Sequence, residues 1–514
     1  MDSRNVGGPA EAASRYHTLT KHSPASVGRD RHFLDWEIKP LPLKVYTDDL
    51  ETVALPQPLE DLTAGGPHQT DLAGLARILG LAAGIIRKRT YAGGRSVYFR
   101  AAACTGALYH IDLYLVCGQL DGLNAGLYHF APHDFSLRKL RSGDLRGFVA
   151  EATGREEAVS RAPVQLISTS TLWRNSWKYQ SRAYRHCYWD DGTILANLLA
   201  VAAADEIPAR VVMGFVDDQI SRLLDLNTDK EVAISIVALG VSDQVPDTAS
   251  TSLEALNLAT EPLSSREVDY PAITEAHQAS RLASAAEVAH WRKATVDFER
   301  GGRDSTPAAY QTPTTIPLDP ATVPPAGAID QVILHRGSSR RFAQKAIGFD
   351  QLSSLLASAT EPVALDIAGA AGRPLSDVYV IANAVDGLQP GAYFFDRKRR
   401  DLELLRAGTF RNEAGFLGLN QALPADASVN VYLMCDLERI LAAYGARGYR
   451  AAQLEAAITG GRLYLASYAL GLGATGLTFF DDEVTDFFSP HAQGKAVMFL
   501  VATGHGRKIK SGAL

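Results

Sequence analysis

Long apolar runs are scarce in this chain. Its longest, around residues 193–204, falls far short of the roughly 20 residues a membrane-spanning helix needs, so no membrane partner is expected. Cysteine is scarce too: Cys104, Cys117, Cys187 and Cys435 are scattered without a CxxC pair. That spacing argues against a metal site and a disulfide framework and suits a reducing cytosol, so a cytoplasmic protein with no metal is expected. There is also no excess of positive charge. The net charge is −6 with no basic domain, and nucleic acid is not expected as a partner. The first residues, MDSRNVGGPAEAASRYH, have neither the apolar core nor the cleavage pattern of a secretory signal.

What is present is the balance of a globular protein, 46% apolar and 21% charged. A chain of 514 residues is too long for one ordinary core, which makes two domains the prior. An internal repeat sharpens this. Shifted by 265 positions, residues 112–143 fall on 377–408 without a gap, and 12 of the 32 positions are identical. The same shift matches Tyr179, Arg182, Tyr184 and Arg185 with Tyr444, Arg447, Tyr449 and Arg450. Two copies in one register mean a duplicated domain and not a solenoid. Each copy reads as strand, turn, strand, with Asp121-Gly122 opening the first turn. Helical periodicity precedes the copies at Leu75, Ile78, Leu79 and Ala82, and at Leu352, Leu355, Leu356 and Ala359. Long helical stretches follow over 171–204 and 436–471, so each half is expected to be an α+β unit. Residues 272–300 carry a further helical pattern, and 303–327 are proline-rich and aperiodic, as in an extended linker.

Four segments could carry chemistry. Arg336, Ser338 and Arg340 open the second half in an R-x-S-x-R pattern followed by Phe342; arginine forks and a hydroxyl suit a phosphate, the alternative being a basic solvated loop. Gly504-His505-Gly506-Arg507-Lys508 follows a buried-type strand and could present cations to an anion, or be a basic tail. Gly473 and Gly476 lie after the long second-half helix, where backbone N–H groups can approach a ligand or simply cap the helix. In the first half the small-residue loop Arg100–Tyr109 contains Ala103, Cys104, Thr105 and Gly106, and its counterpart near 368–374 differs. The stretch Trp173–Arg185 is expected to be one helix, with Trp173, Trp177, Tyr184 and Tyr188 in the core. On the neighbouring face stand Arg174, Lys178, Arg182 and Arg185, which need partners: carboxylates such as Asp190 and Asp191, an anionic ligand, or water. Lys178 and Tyr179 are a candidate proton-transfer pair, the nearby arginines favouring the neutral amine and the phenolate.

Taken in order, these segments resemble the nitroreductase family, specifically its SagB-type dehydrogenase branch, which has tandem-domain members. The resemblance runs through Tyr16-His17, Lys21-His22, Phe33 to Trp36, Arg100 to Tyr109, Gly126 to His129, Trp173 to Arg185, Tyr270-Pro271 and the R-x-S-x-R motif. It implies an α+β fold of two fused nitroreductase-like domains forming an intramolecular pseudo-dimer: an N-terminal arm (1–60), a first domain (61–245), a helical segment with the proline-rich linker (246–327) and a second domain (328–514). It further implies flavin mononucleotide (FMN) bound between the halves. Arg336, Ser338, Arg340, Gly473, Gly476, Arg507 and Lys508 would hold the phosphate and ribityl chain, and Ala103, Cys104, Thr105 and Gly106 would lie near the ring. One composite site is then well formed and its pseudo-equivalent degraded. Lys178 and Tyr179 match the catalytic Lys-Tyr pair of azoline-oxidising members, whereas the second half has Ala443 and Tyr444. Two departures fall on the flavin-facing loop: Ala103-Cys104 replaces Pro-Ser, and His110 replaces a usual proline. The implied activity is dehydrogenation of a peptide-derived or small-molecule substrate, azoline to azole, by hydride transfer to flavin N5 with oxygen or another acceptor. The alternatives are an NAD(P)H-dependent reductase of nitro, quinone or alkene groups, and a non-catalytic scaffold or peptide-binding subunit of a biosynthetic complex. Further homodimerisation is compatible with all three.

Overall fold

The shift that relates the two sequence copies also relates their secondary structures. A computed structural model describes residues 8–56, 69–90, 96–244, 246, 253–300 (backbone only over 295–300), 314–319, 327–367 and 373–507. Each half contains a seven-stranded sheet, antiparallel in every described pairing. The first runs Thr52–Ala54, Ser136–Ser142, Gly126–Ala131, Ile111–Cys117, Val164–Thr171, Glu231–Leu239, Ala209–Val212 in spatial order. The second repeats that order with Thr315–Pro317, Asp401–Ala407, Gly391–Asp396, Asp377–Ala382, Val429–Cys435, Ala496–Gly504 and Gly473–Gly476. Even the register is kept: Asp112 faces Thr169 in one sheet, and Asp377 faces Met434 in the other. Gly122 and Gly387, at φ of 77° and 82°, occupy the matching turn position, a left-handed conformation that glycine adopts without steric cost. Helices flank both sheets, giving the α+β class.

The edge strands come from unexpected places. Thr52–Ala54 belongs to the N-terminal arm, and Thr315–Pro317 to the proline-rich stretch; both are only three residues long. A short edge strand containing proline suits a position where one side of the backbone needs no ladder partner.

The halves meet along two helices, Ala183–Ala204 and the distal part of Leu437–Ala469. Small residues let the backbones cross closely. A Cβ placed on Gly192 would lie 2.4 Å from Ala457 Cβ, and one on Gly461 would lie 2.5 Å from Ala196 Cβ. These contacts are related by the same shift, so they mark a pseudo-twofold axis.

Two crossed ion clamps flank that axis. Arg182 and Arg185 of the first half bind Asp481 of the second at 2.9 and 2.6 Å. Reciprocally, Arg447 and Arg450 of the second half bind Asp217 of the first, the latter at 2.9 Å. All six side chains are buried. Helix Pro9–Leu19 and its counterpart Pro271–Ala279, in the stretch expected as a connector, complete each clamp. Arg185 donates to His17 O and Thr20 Oγ1 at 2.8 and 3.0 Å, and Arg450 to His277 O and Ser280 Oγ at 2.8 and 2.7 Å. The expected stripe of like charges therefore does not exist as a stripe. Arg182 and Arg185 are spent on Asp481, and buried Arg174 pairs with Asp112 at 2.7 Å; neither Asp190 nor Asp191 is their partner.

Burial alone would raise the carboxyls of Asp217 and Asp481, but the paired arginines outweigh it and hold both well below the usual range. His17 and His277 are kept neutral, chiefly by burial and then by Arg185 and Arg450 respectively. Replacing Asp481 or Asp217 with Asn strands two buried guanidinium groups and should cost about 3–5 kcal/mol of stability in chemical denaturation. The acid sign follows from the shifts. A lowered histidine value contributes stability that is present above the unfolded value of about 6.5 and lost as pH falls below it; the aspartates add a second loss below about 4. A melting temperature that falls in these two stages on acidification checks this assignment.

Candidate functional site

The loop before the repeated strand is held in an uncommon backbone. Gly106, Ala107 and Tyr109 have φ of 65°, 54° and 49°, and for alanine and tyrosine that region is disfavoured. The loop faces the end of helix Leu172–Tyr179. A Cβ on Gly106 would lie 2.8 Å from Tyr179 Oη and 3.2 Å from its ring, so the tyrosine lies directly over the glycine.

Helix Leu172–Tyr179 is not continuous with Ala183–Ala204. Gln180 breaks it at φ 50°, ψ −140°, and Gly445 breaks the second copy at φ 60°, ψ −160°. The second copy places glycine where the first strains a glutamine, next to the candidate pair. Trp173, Trp177, Tyr184 and Tyr188 are buried as expected, though on two helices. The pair's electrostatics are split. Burial, then the charge of Arg340, lowers the amine of Lys178. Arg174, Arg182 and Arg185 are not the cause. Burial, then Asp190 and Cys104, pushes the Tyr179 hydroxyl well up. The expected phenolate is thus disfavoured, and Tyr179 is a phenol, able to donate.

The second half brings its motifs to the same place. Ser339 N–H donates to Ala474 O at 2.9 Å, Ala343 N–H to His505 O at 2.9 Å and Arg507 N–H to Arg341 O at 3.0 Å, so the R-x-S-x-R segment lies between Gly473–Gly476 and the end of the last strand. Ser338 Oγ is 3.3 Å from Tyr464 Oη, which also accepts the Gly476 N–H. Arg336 is buried and crosses into the first half, donating to Ala101 O at 2.9 Å and Arg100 O at 3.3 Å. It is occupied by backbone carbonyls and is not the open phosphate ligand expected. Arg340 and Arg507 are exposed, and among the described residues neither they nor Lys178 is held in an ion pair. Lys508 lies outside the described residues.

Three contributors were missed by sequence reasoning. Asp190, read as an arginine partner, accepts instead from the N–H and Oγ of Thr105 at 2.8 and 2.7 Å, from Cys104 Sγ at 3.0 Å and from His110 Nε2 at 2.8 Å. Tyr464 was not singled out. Trp291 acts at the pseudo-equivalent position. From helix Ala285–Arg300 it donates its indole N–H to Tyr444 O at 3.0 Å with the rings 5.8 Å apart. Its neighbour Arg292 binds Asp366 at 3.0 Å and the carbonyls of Thr153 and Gly214 at 2.6 and 2.7 Å. Tyr444, the counterpart of Tyr179, is therefore packed against the chain's own helix. The loop counterpart over 368–372 lies outside the described residues.

Residues 333–505 match the family model described as the nitroreductase family. The second half carries a nitroreductase-family domain. The nitroreductase likeness in structure extends over both halves. The chain superposes on a crystal structure described as a "putative nitroreductase" from Anabaena variabilis with a TM-score of 0.77 and 26% identity, covering 96% of this chain and 99% of that one. A relative from Methanocaldococcus jannaschii, named a "putative nitroreductase", is 22% identical over 142 residues, 28% of this chain and 70% of its own length.

Gly106→Ala tests the seat of Tyr179. The new methyl group meets the phenol and forces a left-handed alanine, which should cost about 1–3 kcal/mol and displace the ring, measured as lower thermal stability together with altered near-ultraviolet circular dichroism.

Proposed function

We propose that the chain is an FMN-dependent oxidoreductase with one flavin site built across its two halves, in which Lys178 and Tyr179 manage the proton that accompanies hydride transfer. The observation that carries this reading is convergence: Tyr179 lies over Gly106 of the strained first-half loop, and Arg336 from the second half donates to Ala101 O and Arg100 O where that loop begins.

The residues present fit the cofactor. Arg340 and Arg507 offer exposed guanidinium forks suited to a dianionic phosphate. Of the glycines beside this motif, Gly506 is exposed and could face a ribityl chain, whereas Gly473 is buried against Ser339 Oγ, 2.3 Å from where a Cβ would stand. Arg336 would serve differently, tying the carbonyls of Arg100 and Ala101 so that Ala103, Cys104, Thr105 and Gly106 are presented to the ring. FMN bound there supplies two-electron chemistry at N5.

Around it, the chain supplies acid and base. The lowered amine of Lys178 makes it the base, and the raised hydroxyl of Tyr179 makes it a donor; pushing two neighbouring groups apart in this way separates the two roles. In the dehydrogenase direction Lys178 takes the proton released as a peptide-borne thiazoline or oxazoline becomes aromatic, with oxygen or another acceptor reoxidising the enzyme. The phenolic state of Tyr179 also favours the reverse reading, in which NAD(P)H is the reductant and Tyr179 protonates a reduced nitro, quinone or alkene substrate.

The purified chain should be yellow, with about one FMN per chain, because the R-x-S-x-R motif stands only in the second half. Anaerobic NAD(P)H bleaches a reductase and leaves a dehydrogenase oxidised; a colourless protein that takes up no FMN would identify a scaffold. Lys178→Ala and Tyr179→Phe should retain FMN and fold but lower turnover per bound flavin by about 10²- to 10⁴-fold, the range of general acid–base catalysis. Near-normal turnover in both would remove the pair from the mechanism.

A further inference from the structure

The strain in the loop Ala103–Tyr109 needs a restraint, and the structure contains one that neither the motifs nor the candidate pair account for. We propose that Asp190 is the positioning residue of this loop, a buried carboxylate that fixes the backbone presented to the cofactor. The proposal rests on the flavin reading for what the loop faces, and on geometry alone for what holds it.

Asp190 sits in the first turns of helix Ala183–Ala204 and is itself buried. One oxygen accepts the Thr105 N–H at 2.8 Å and the Thr105 hydroxyl at 2.7 Å. The other accepts the Cys104 thiol at 3.0 Å and lies 2.8 Å from His110 Nε2. These donors bracket the strained residues: Thr105 and Cys104 precede Gly106, and His110 follows Tyr109. Two further bonds close the loop on itself and on the same helix. The Tyr109 N–H donates to Cys104 Sγ at 3.1 Å, and Thr193 Oγ1, one turn beyond Asp190, donates to Ala103 O at 2.6 Å. His110 is anchored from behind by Ser170 Oγ, 2.8 Å from Nδ1.

Hydrogen bonds to an ionised acceptor are the strong ones, and several sharing one carboxylate over-determine a backbone that would otherwise relax. Burial, and after it the charge of Asp190, pushes the Cys104 thiol well up, so it remains a protonated donor and not a nucleophile. Tyr179, packed on Gly106, is placed by the same restraint. Asp190 acts through the loop, since its partners are the backbone and side chains of Cys104, Thr105 and His110.

Cys104 supplies a local reporter, because it is the partly exposed thiol while Cys117, Cys187 and Cys435 are buried. The experiment labels the full chain with a maleimide at pH 8 and measures FMN affinity by fluorescence in the same preparations. Wild type is compared with Asp190→Asn, with Thr105→Val as a milder variant that removes one donor, and with Cys104→Ala to identify the labelled site. Asp191→Asn serves as a control, since that carboxylate bonds Ser235 and not the loop. We expect Cys104 to label several-fold faster in Asp190→Asn, because the thiol loses the bond and the charge that hold it protonated against the helix, with FMN bound at least tenfold more weakly. Thr105→Val should move both readouts the same way by less, and Asp191→Asn should leave the labelling rate unchanged. An unchanged labelling rate in a folded Asp190→Asn overturns the proposal. So does faster labelling with FMN affinity within twofold of wild type, because the loop would then be loosened without consequence for the cofactor. If wild type itself takes up no FMN, the flavin reading fails, and the labelling rates alone still decide whether Asp190 holds the loop.

Discussion

Four guanidinium groups buried against two carboxylates govern how the halves of this chain sit together. Such a cluster is stable only if every cation finds an acceptor, because an unmatched buried charge costs several kcal/mol. Each clamp holds two cations and one anion, and the deficit is met by carbonyl and hydroxyl oxygens from a helix that precedes its half, Pro9–Leu19 or Pro271–Ala279. Three elements must therefore arrive together for either clamp to form. With both closed, the long helices cross at Gly192 and Gly461, and Arg336 is delivered to the first-half loop. The candidate site is a consequence of that geometry, since no half contains it alone.

Much of the architecture was legible because duplication leaves a pattern independent of local propensity. The shift of 265 read from residues 112–143 also relates the strands and the long helices; the break at Gln180 and Gly445 obeys the same shift but was not read, since 173–185 was expected as one helix. The clustering of the R-x-S-x-R segment with Gly473 and with the chain beyond Gly504 was implied by the family resemblance and not by the residues taken singly. Partnerships were not legible. Arg182 and Arg185 read as a stripe needing an anion, and Asp190 was the nearest carboxylate in sequence; the true partner, Asp481, lies about three hundred positions away and is brought close only by the pseudo-twofold axis. The sign of the Tyr179 shift failed for the same reason. Its surroundings were taken to be the neighbouring arginines, but those are neutralised elsewhere, and what it meets is burial, a thiol and a carboxylate.

The site is also where local preference is violated most. Gln180, Ala107 and Tyr109 all sit at positive φ within a few residues of Lys178, Tyr179 and Gly106. Strain of this kind persists when surrounding contacts over-determine it. Cys104 and His110, positions at which the sequence departs from its resemblance, both meet on Asp190. The departures are thus coupled and not two independent losses.

The helix Ala285–Arg300 has a consequence for how such a protein can change over generations. In a dimer of identical chains, one gene encodes both sites, so a tryptophan that closes one closes the other. Joining the copies end to end removes that bond between them. Trp291 and Arg292, packed on Tyr444 and Asp366, can then accumulate on one side without touching the other, and that side is free to take on a purely structural part. A fused chain can in this way trade symmetry for division of labour.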